Sequence, residues 1–446
     1  MAYTGYSMIK NRIFQAVVFL FFAVSLVPPA LAAEGLTLKD ALSRSLERNP
    51  LMTEARLGVA GSEEGIAGSK GKHWPKLSLD LSYQQRQDPV PYIPAQSVTI
   101  PARFSAEYAS LGLLLALPLY QGGQTVTNVR LSTVRRDLQQ LSLSQSRNEL
   151  IANTVNSYNK LLQLQMLKMA SDATLKALDT QLKNARLLFD LGRIARVDLL
   201  KVEVQLANER QRALSFDEAI ATTDATLRFL MGDDPAPGGA QLRLADTLSM
   251  PKEATAAEIS AVRPWSSRPE YQAALLGVKE SELSRRLTLG RFLPAVNAVA
   301  GYGEQYGFTP SYHEANWYFG VLATVPLFER SLYADLRRDT ILKEKSAARQ
   351  RVVEQQLRLD LTVAAAALRE SANRVITARQ AIEQAHESFR IEQEKYAAGA
   401  GTMSDLLLAQ SADMTAEANL SQAIFDYNAA QVAWRKANGT LEEYLK

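Results

Sequence analysis

Two aspartates have the spacing most suggestive of chemistry. Asp198 lies six residues after Gly192, and Asp405 lies six residues after Gly399. The surroundings repeat as well: Phe189-Asp190-Leu191-Gly192 with Asp198-Leu199-Leu200 returns 207 positions on as Tyr396-Ala397-Ala398-Gly399 with Asp405-Leu406-Leu407. Carboxylates so placed can complement the positive end of a helix or draw cations to a narrow place. Covalent chemistry finds no support. The three histidines, His73, His313 and His386, lack metal-ligand spacing, and His386 beside Glu387 reads as solvated. Gly301-x-Gly303 is followed by no phosphate-binding helix start, no Gly-x-Ser-x-Gly elbow occurs, and Asp233-Asp234 sits in a proline-rich loop. With no cysteine there is no disulfide, thiolate site or cysteine nucleophile. No enzyme activity, metal or cofactor is expected.

The elements that position the two aspartates form an internal duplication. Asn49-Pro50 matches Arg268-Pro269 and Trp74-Pro75 matches Leu293-Pro294, both offset by 219, while Pro118-Leu119-Tyr120 matches Pro326-Leu327-Phe328 at 208. Each copy reads as helix, two strands, very long helix, glycine turn and helix. The copies span 34–231 and 269–440, with 232–268 between them and a tail at 441–446. No glycine or proline interrupts Gln124–Leu191, Arg193–Met231, Leu327–Ala398 or Thr402–Asn438. A helix of about 70 residues is roughly 100 Å long. Leu361, Leu368, Val375, Ile382, Phe389 and Tyr396 recur every seven residues, with Ala364, Ser371, Ala378 and Ala385 three places on. Leu161, Leu175, Leu182 and Phe189 hold the matching places in the first copy, with Lys168 as an exception. That period belongs to under-wound, supercoiled helices.

Elsewhere the period is two. Leu77, Leu79, Leu81 and Tyr83 alternate with polar residues, and Leu111, Leu113, Leu115 and Leu117 form a second apolar edge. Val296, Ala298, Ala300 and Tyr302, then Phe319, Val321, Ala323 and Val325, repeat the pair. Gln84–Arg103, with four prolines, and the aromatic-rich Gly303–Asn316 read as loops. Gly58, Gly61, Gly65 and Gly68 suggest close approach of a neighbouring helix, and Thr255–Val262 reads as a short helix. Four short strands cannot close a membrane barrel, for which about 8 are the minimum.

Lys10 and Arg12, the apolar run Ile13–Val27, Pro28-Pro29 and Ala30-Leu31-Ala32 form a signal peptide over residues 1–33, cut near Ala33. Without cysteine the expected product is no lipoprotein. The near-balanced charge, +3, with scattered lysines and arginines, gives no reason to expect nucleic acid.

Pro118-Leu119-Tyr120-Gln121-Gly122-Gly123, Gly192–Ala207 and Gly399–Gln410, together with the duplicated strand pairs and the signal peptide, resemble the TolC family of outer-membrane efflux channels. The resemblance covers about Leu36 to Leu441. It implies a mainly α fold with a small β part: a homotrimer whose long coiled-coil helices form an α-barrel joined to a 12-stranded transmembrane β-barrel, four strands from each chain. It places the protein in the outer membrane of a Gram-negative bacterium, in contact with outer-membrane lipid and with a large periplasmic portion. It makes it the exit duct of a tripartite efflux or type I secretion system. The partners implied are a periplasmic adaptor and an inner-membrane pump of the resistance–nodulation or ABC type. The adaptor would meet the tips at Leu191, Gly192, Arg193 and Ile194 and at Ala398, Gly399, Ala400 and Gly401. Residues 232–268 would belong to an equatorial belt. Asp198 and Asp405 would stand at the periplasmic gate, where symmetry turns Asp405 into a ring of three carboxylates. Family members can carry an arginine at the place of Gly401 and an acid at the place of Leu408; the gate contacts here must differ. The rival reading is a non-pore periplasmic coiled-coil adaptor or scaffold, for which two symmetric hairpins each preceded by a strand pair would be unexpected.

Overall fold

The computed structural model describes residues 35–95, 97, 99, 101–234, 241–248 and 263–445. The expected signal peptide and the expected helix Thr255–Val262 lie outside the described residues.

Two short helices come first among the described residues, α1 (Leu38–Arg48) and α2 (Pro50–Gly71). Thr37 caps α1 by accepting from the Asp40 N–H, and Asn49 caps α2 by accepting from the Leu51 N–H, with Pro50 at the first helical position. Strands β1 (Lys76–Ile93) and β2 (Arg103–Gln121) follow, then the 67-residue α3 (Gln124–Asp190), the tip turn, and α4 (Arg196–Met231). The second copy gives α5 (Pro269–Gly290), β3 (Ala295–Phe308), β4 (Ser311–Thr324), the 68-residue α6 (Arg330–Ala397) and α7 (Met403–Asn438).

The short helices stack end on end beside the long ones, and the duplicated residue before each proline joins them. Asn49 Nδ2 donates to the Leu230 carbonyl at 2.8 Å at the end of α4, and Arg268 Nη1 donates to the Ala437 carbonyl at 3.3 Å at the end of α7. Gly232, in the left-handed region at φ +77°, presses on the Arg48 carbonyl so closely that a Cβ would stand 2.7 Å from it. Only glycine fits that junction. The heptad pattern is the seam of the second hairpin: Ala364, Leu368 and Val375 of α6 pack with Ala423, Tyr427 and Trp434 of α7. Between the copies, Leu36 bridges Leu244 in parallel, and Asp246 accepts from the Leu38 N–H and the Tyr158 hydroxyl. Burial, and then the bond to Asp246, raise the Tyr158 hydroxyl well above the usual phenol range. Tyr158 is midway along α3, so Asp246 meets the long helix at its middle.

The four strands form one antiparallel sheet in the order β1-β2-β3-β4. α2, α3, α5 and α6 pack side by side in the corresponding order, so each strand continues one helix. The strands are longer than their alternation suggests, at 14 to 19 residues. Both expected loops need correction. Gln84–Ile93 stays paired with β2 through irregularities between Gln85 and Val90 and between Pro91 and Ile93. Proline is tolerated there because β1 is an edge strand of this sheet and bulges absorb the missing donor. Gly303–Asn316 is paired as well, with only Thr309-Pro310 as the turn, because its tyrosines suit a strand. The glycines of α2 meet the expectation only in part: a Cβ on Gly58 would stand 3.3 Å from Gln139 Oε1 of α3, whereas one on Gly61, Gly65 or Gly68 would meet nothing within 4 Å.

Candidate pore wall and periplasmic entrance

Cross-strand register assigns the sheet its two faces, since directly paired residues point the same way. Leu77, Leu115, Ala300 and Phe319 make one row, and Leu79, Leu113, Tyr302 and Trp317 the next. From Val296 to Tyr306 this face runs ten residue steps along β3, about 34 Å. Tilted by about 40° that is roughly 26 Å, close to the apolar band of an outer-membrane barrel. Its members are bare in the single chain: Leu81 is 70% exposed and Phe319 79%. Trp74, Tyr120 and Phe328 continue this apolar surface at the helix end. Glu304 breaks the band near the opposite rim, where the hydroxyls of Tyr302 and Tyr306 donate to its carboxylate and His313 stacks on Tyr306.

The other face is polar and partly paved with flat rings. Ser82 and Ser110 hydrogen-bond at 2.8 Å, and Asp80, Gly112, Gly303 and Asn316 form a row. The Tyr318 ring lies on Gly301 and the Tyr92 ring on Gly307, where a Cβ would collide with either ring. Tyr92 therefore crosses from β1 over β2 to β3, stacking on Tyr108 on the way.

At the far end, both long helices finish in the same glycine turn. Gly192 (φ +67°) donates to the Phe189 carbonyl and Arg193 to the Leu188 carbonyl; Gly399 (φ +73°) donates to the Tyr396 carbonyl and Ala400 to the Lys395 carbonyl. This is the reciprocal closure of a left-handed helix end. Leu191, Gly192, Arg193, Ala398, Gly399 and Ala400 are exposed, while Ile194 and Gly401 are half-buried. Ile194 leans on a core in which Leu178, Leu182 and Val202 of the first hairpin meet Met403 and Leu406 of the second. The two expected contact surfaces are therefore held together in one rigid end. A Cβ on Gly401 would stand 3.1 Å from the Lys395 Cβ, so a side chain there needs the end of α6 to shift.

The two aspartates, alike in sequence, differ in surroundings. Asp405 is exposed; its N–H donates to Thr402 Oγ1 at 3.1 Å and its carboxylate accepts from the same hydroxyl at 2.6 Å. That exchange caps α7. The residue before α4 is Ala195, which offers no side-chain cap, and half-buried Asp198 instead meets Lys201 at 3.4 Å. Asp198 also lies near enough to Tyr396 for its charge to add to burial in raising the tyrosine hydroxyl above its ordinary value. Spacing allowed a helix-end role for both but not these partners, although Thr402-x-x-Asp405 is a legible capping signature. It missed a third: His386 Nδ1 lies 2.5 Å from Asp413, a carboxylate with only 12% of its side chain exposed, so His386 pairs across the hairpin although its ring remains mostly solvated. Among the described residues no three histidine, aspartate or glutamate side chains converge to hold a metal.

A 100 Å helical wall continued by a sheet with one lipid-compatible face is the build of a trans-envelope channel subunit. The family model for outer membrane efflux proteins matches residues 41–233 and 265–440. Among curated proteins, the outer membrane efflux protein BepC of Brucella suis is 23% identical over 99% of this chain and 92% of its own length. Among solved structures, the outer membrane protein VceC of Vibrio cholerae superposes with a TM-score of 0.75 at 17% identity, covering 90% of this chain and 96% of that one. The CmeC outer membrane channel of Campylobacter jejuni gives 0.74 at 15% identity, covering 90% and 85%. The chain belongs to the outer membrane efflux protein family, with the α-barrel and β-barrel fold of its structural neighbours.

Proposed function

We propose that three copies of this chain close into the exit duct of a tripartite efflux or type I secretion system. The duct passes substrates passively from an inner-membrane pump, of the resistance–nodulation or ABC type, through a periplasmic adaptor. One observation carries the reading: every strand of the bare-faced sheet runs on into a helix of the wall, in the same lateral order. An open four-stranded sheet cannot span lipid, because its two edges would leave unpaired backbone in hydrocarbon. Three sheets joined edge to edge remove every edge and carry the helices into a continuous tube. A non-pore adaptor or scaffold has no use for an apolar band of membrane height.

In this assembly the tip residues Leu191–Ile194 and Ala398–Gly401 form the adaptor-contacting end, and Asp198 and Asp405 line the narrowed entrance. Residues 232–268 supply the waist. The test is insertion of the purified protein into planar bilayers. Discrete conductance steps from a heat-resistant trimer are expected, and recovery as a soluble periplasmic monomer without conductance would sink the reading.

A further inference from the structure

Two helices separately distinguish the inside of the wall from its outside. α5 meets α3 through Leu276, Leu283 and Leu287, and meets α6 through the Arg285–Thr340 and Thr288–Asp339 hydrogen bonds. At 3.6 residues per turn these seams lie about 140° apart on one side of α5. In a closed ring the narrower arc between two seams faces the lumen and the wider arc faces out. α3 meets α5 through Leu131, Val134 and Leu138, and meets α2 through Ser132 and Gln139. The same construction gives it an outer arc too.

Both outer arcs change chemistry in about one helical turn. On α3 the exposed Val126 is followed by Arg130, and on α5 the exposed Leu289 is preceded by Arg286. Arg130, Thr133 and Asp137 face Lys279, Glu282 and Arg286 across a groove of about 440 Å³. Its acids are already engaged: Glu282 holds Arg286 at 2.8 Å, and Asp137 holds Arg136 at 2.9 Å. Arg130 and Lys279 are exposed, and among the described residues their side chains have no hydrogen-bond or ion-pair partner. Counting from the helix ends at 1.5 Å per residue, Arg286 and Arg130 lie about 6 and 9 Å beyond the strands. The polar layer bordering the hydrocarbon is about 5–8 Å deep on each side of a bilayer, and an arginine side chain reaches up into it. Tyr120, paired with Val296, is on the lipid-facing side directly above.

We propose that this groove binds the phosphate of an anionic phospholipid in the periplasmic leaflet, with the acyl chains lying against Val126, Leu289 and Tyr120. The guanidinium of Arg130 matches a phosphate in charge and shape, and Lys279 adds a second cation. The inference rests on the channel reading, since only the closed ring turns these arcs toward lipid.

The test uses the full-length protein in membranes of equal parts phosphatidylglycerol and phosphatidylcholine. After extraction, lipid retained by the trimer is quantified by mass spectrometry. Wild type should retain phosphatidylglycerol in roughly fivefold preference, and Arg130→Gln/Lys279→Gln should fall to near parity while keeping its conductance. Lys176→Gln, remote from the strands, should retain the preference. If the double variant fails to form a trimer, Arg130→Gln alone serves, with an intermediate preference expected. Equal retention by wild type, or unchanged preference in the groove variants, would overturn the inference. So would displacement of the lipid by millimolar glycerol phosphate, because the groove would then recognise a free phosphate. Wild type that conducts without lipid preference fails this inference alone, whereas wild type that forms no pore fails the channel reading as well.

Discussion

Single side chains settle what the duplicated sequence leaves equal. Asp405 both caps α7 and offers a charge near the entrance, and these roles can be separated. Thr402→Ala removes the hydroxyl that joins the cap and should lower the thermal stability of the second hairpin by about 1 kcal/mol. Asp405→Ala should do the same and, in addition, reduce cation selectivity and block by multivalent cations in single-channel recordings. If both variants leave selectivity unchanged, Asp405 is a cap alone. At the stacked-helix junction, Asn49→Ala strips the Leu230 carbonyl and the Leu51 N–H of their partner together. A loss of about 1–3 kcal/mol is expected, read as a lower melting temperature of the trimer with unaltered pore conductance.

At the scale of the element, the glycine turns and the sheet show how few residues direct long structures. Gly192 and Gly399 hold positive φ with open space around them, so alanine meets no neighbour and pays only for the left-handed backbone, about 1–2 kcal/mol. Gly192→Ala should therefore still assemble, while export through the proposed tripartite system falls if the tip has to present its turn intact to an adaptor. Efflux equal to wild type would separate the turn from adaptor contact. In the sheet, Gly307 seats the Tyr92 ring on the polar face. Gly307→Val should displace Tyr92 from that seat and change single-channel conductance, with trimer heat resistance retained; identical conductance would show that Tyr92 stands clear of the permeation path.

For the whole molecule, what matters is what the single chain leaves uncovered. The Leu-, Trp- and Phe-rich face of the sheet would be an aggregation surface in water, and its two edge strands would be templates for further pairing. In the proposed trimer lipid covers the first and neighbouring copies take the second, so a chain whose sheet is open on its own can be part of a stable envelope structure. The open glycine side of α2 belongs to the same account. A tryptophan at Gly61, where a protomer has ample room, should block trimer formation if that side packs against a neighbouring copy. A heat-resistant Gly61→Trp trimer would place another surface at the interface.

The sequence by itself determined the repeat, the helices and the turns. Uninterrupted heptads can form only long supercoiled helices, and a glycine followed by a restarted apolar pattern marks where they reverse. Asn49-Pro50 likewise foretold the break between α1 and α2, because a helix tolerates proline only in its first turn. Tertiary structure decided what depends on pairing. Proline and aromatic density suggest loops at Gln84–Arg103 and Gly303–Asn316, yet an edge position keeps Gln84–Ile93 in the sheet and a two-residue turn keeps nearly all of the second there. Asp198 and Asp405 share their spacing from the turn glycines, and Thr402 before one and Ala195 before the other already separate their capping; only folding brings Tyr396 of the second hairpin to Asp198. The outward groove of Arg130 and Lys279 was invisible for the same reason: its residues are 149 positions apart, and a charge acquires a direction only when the helices on either side of it are known.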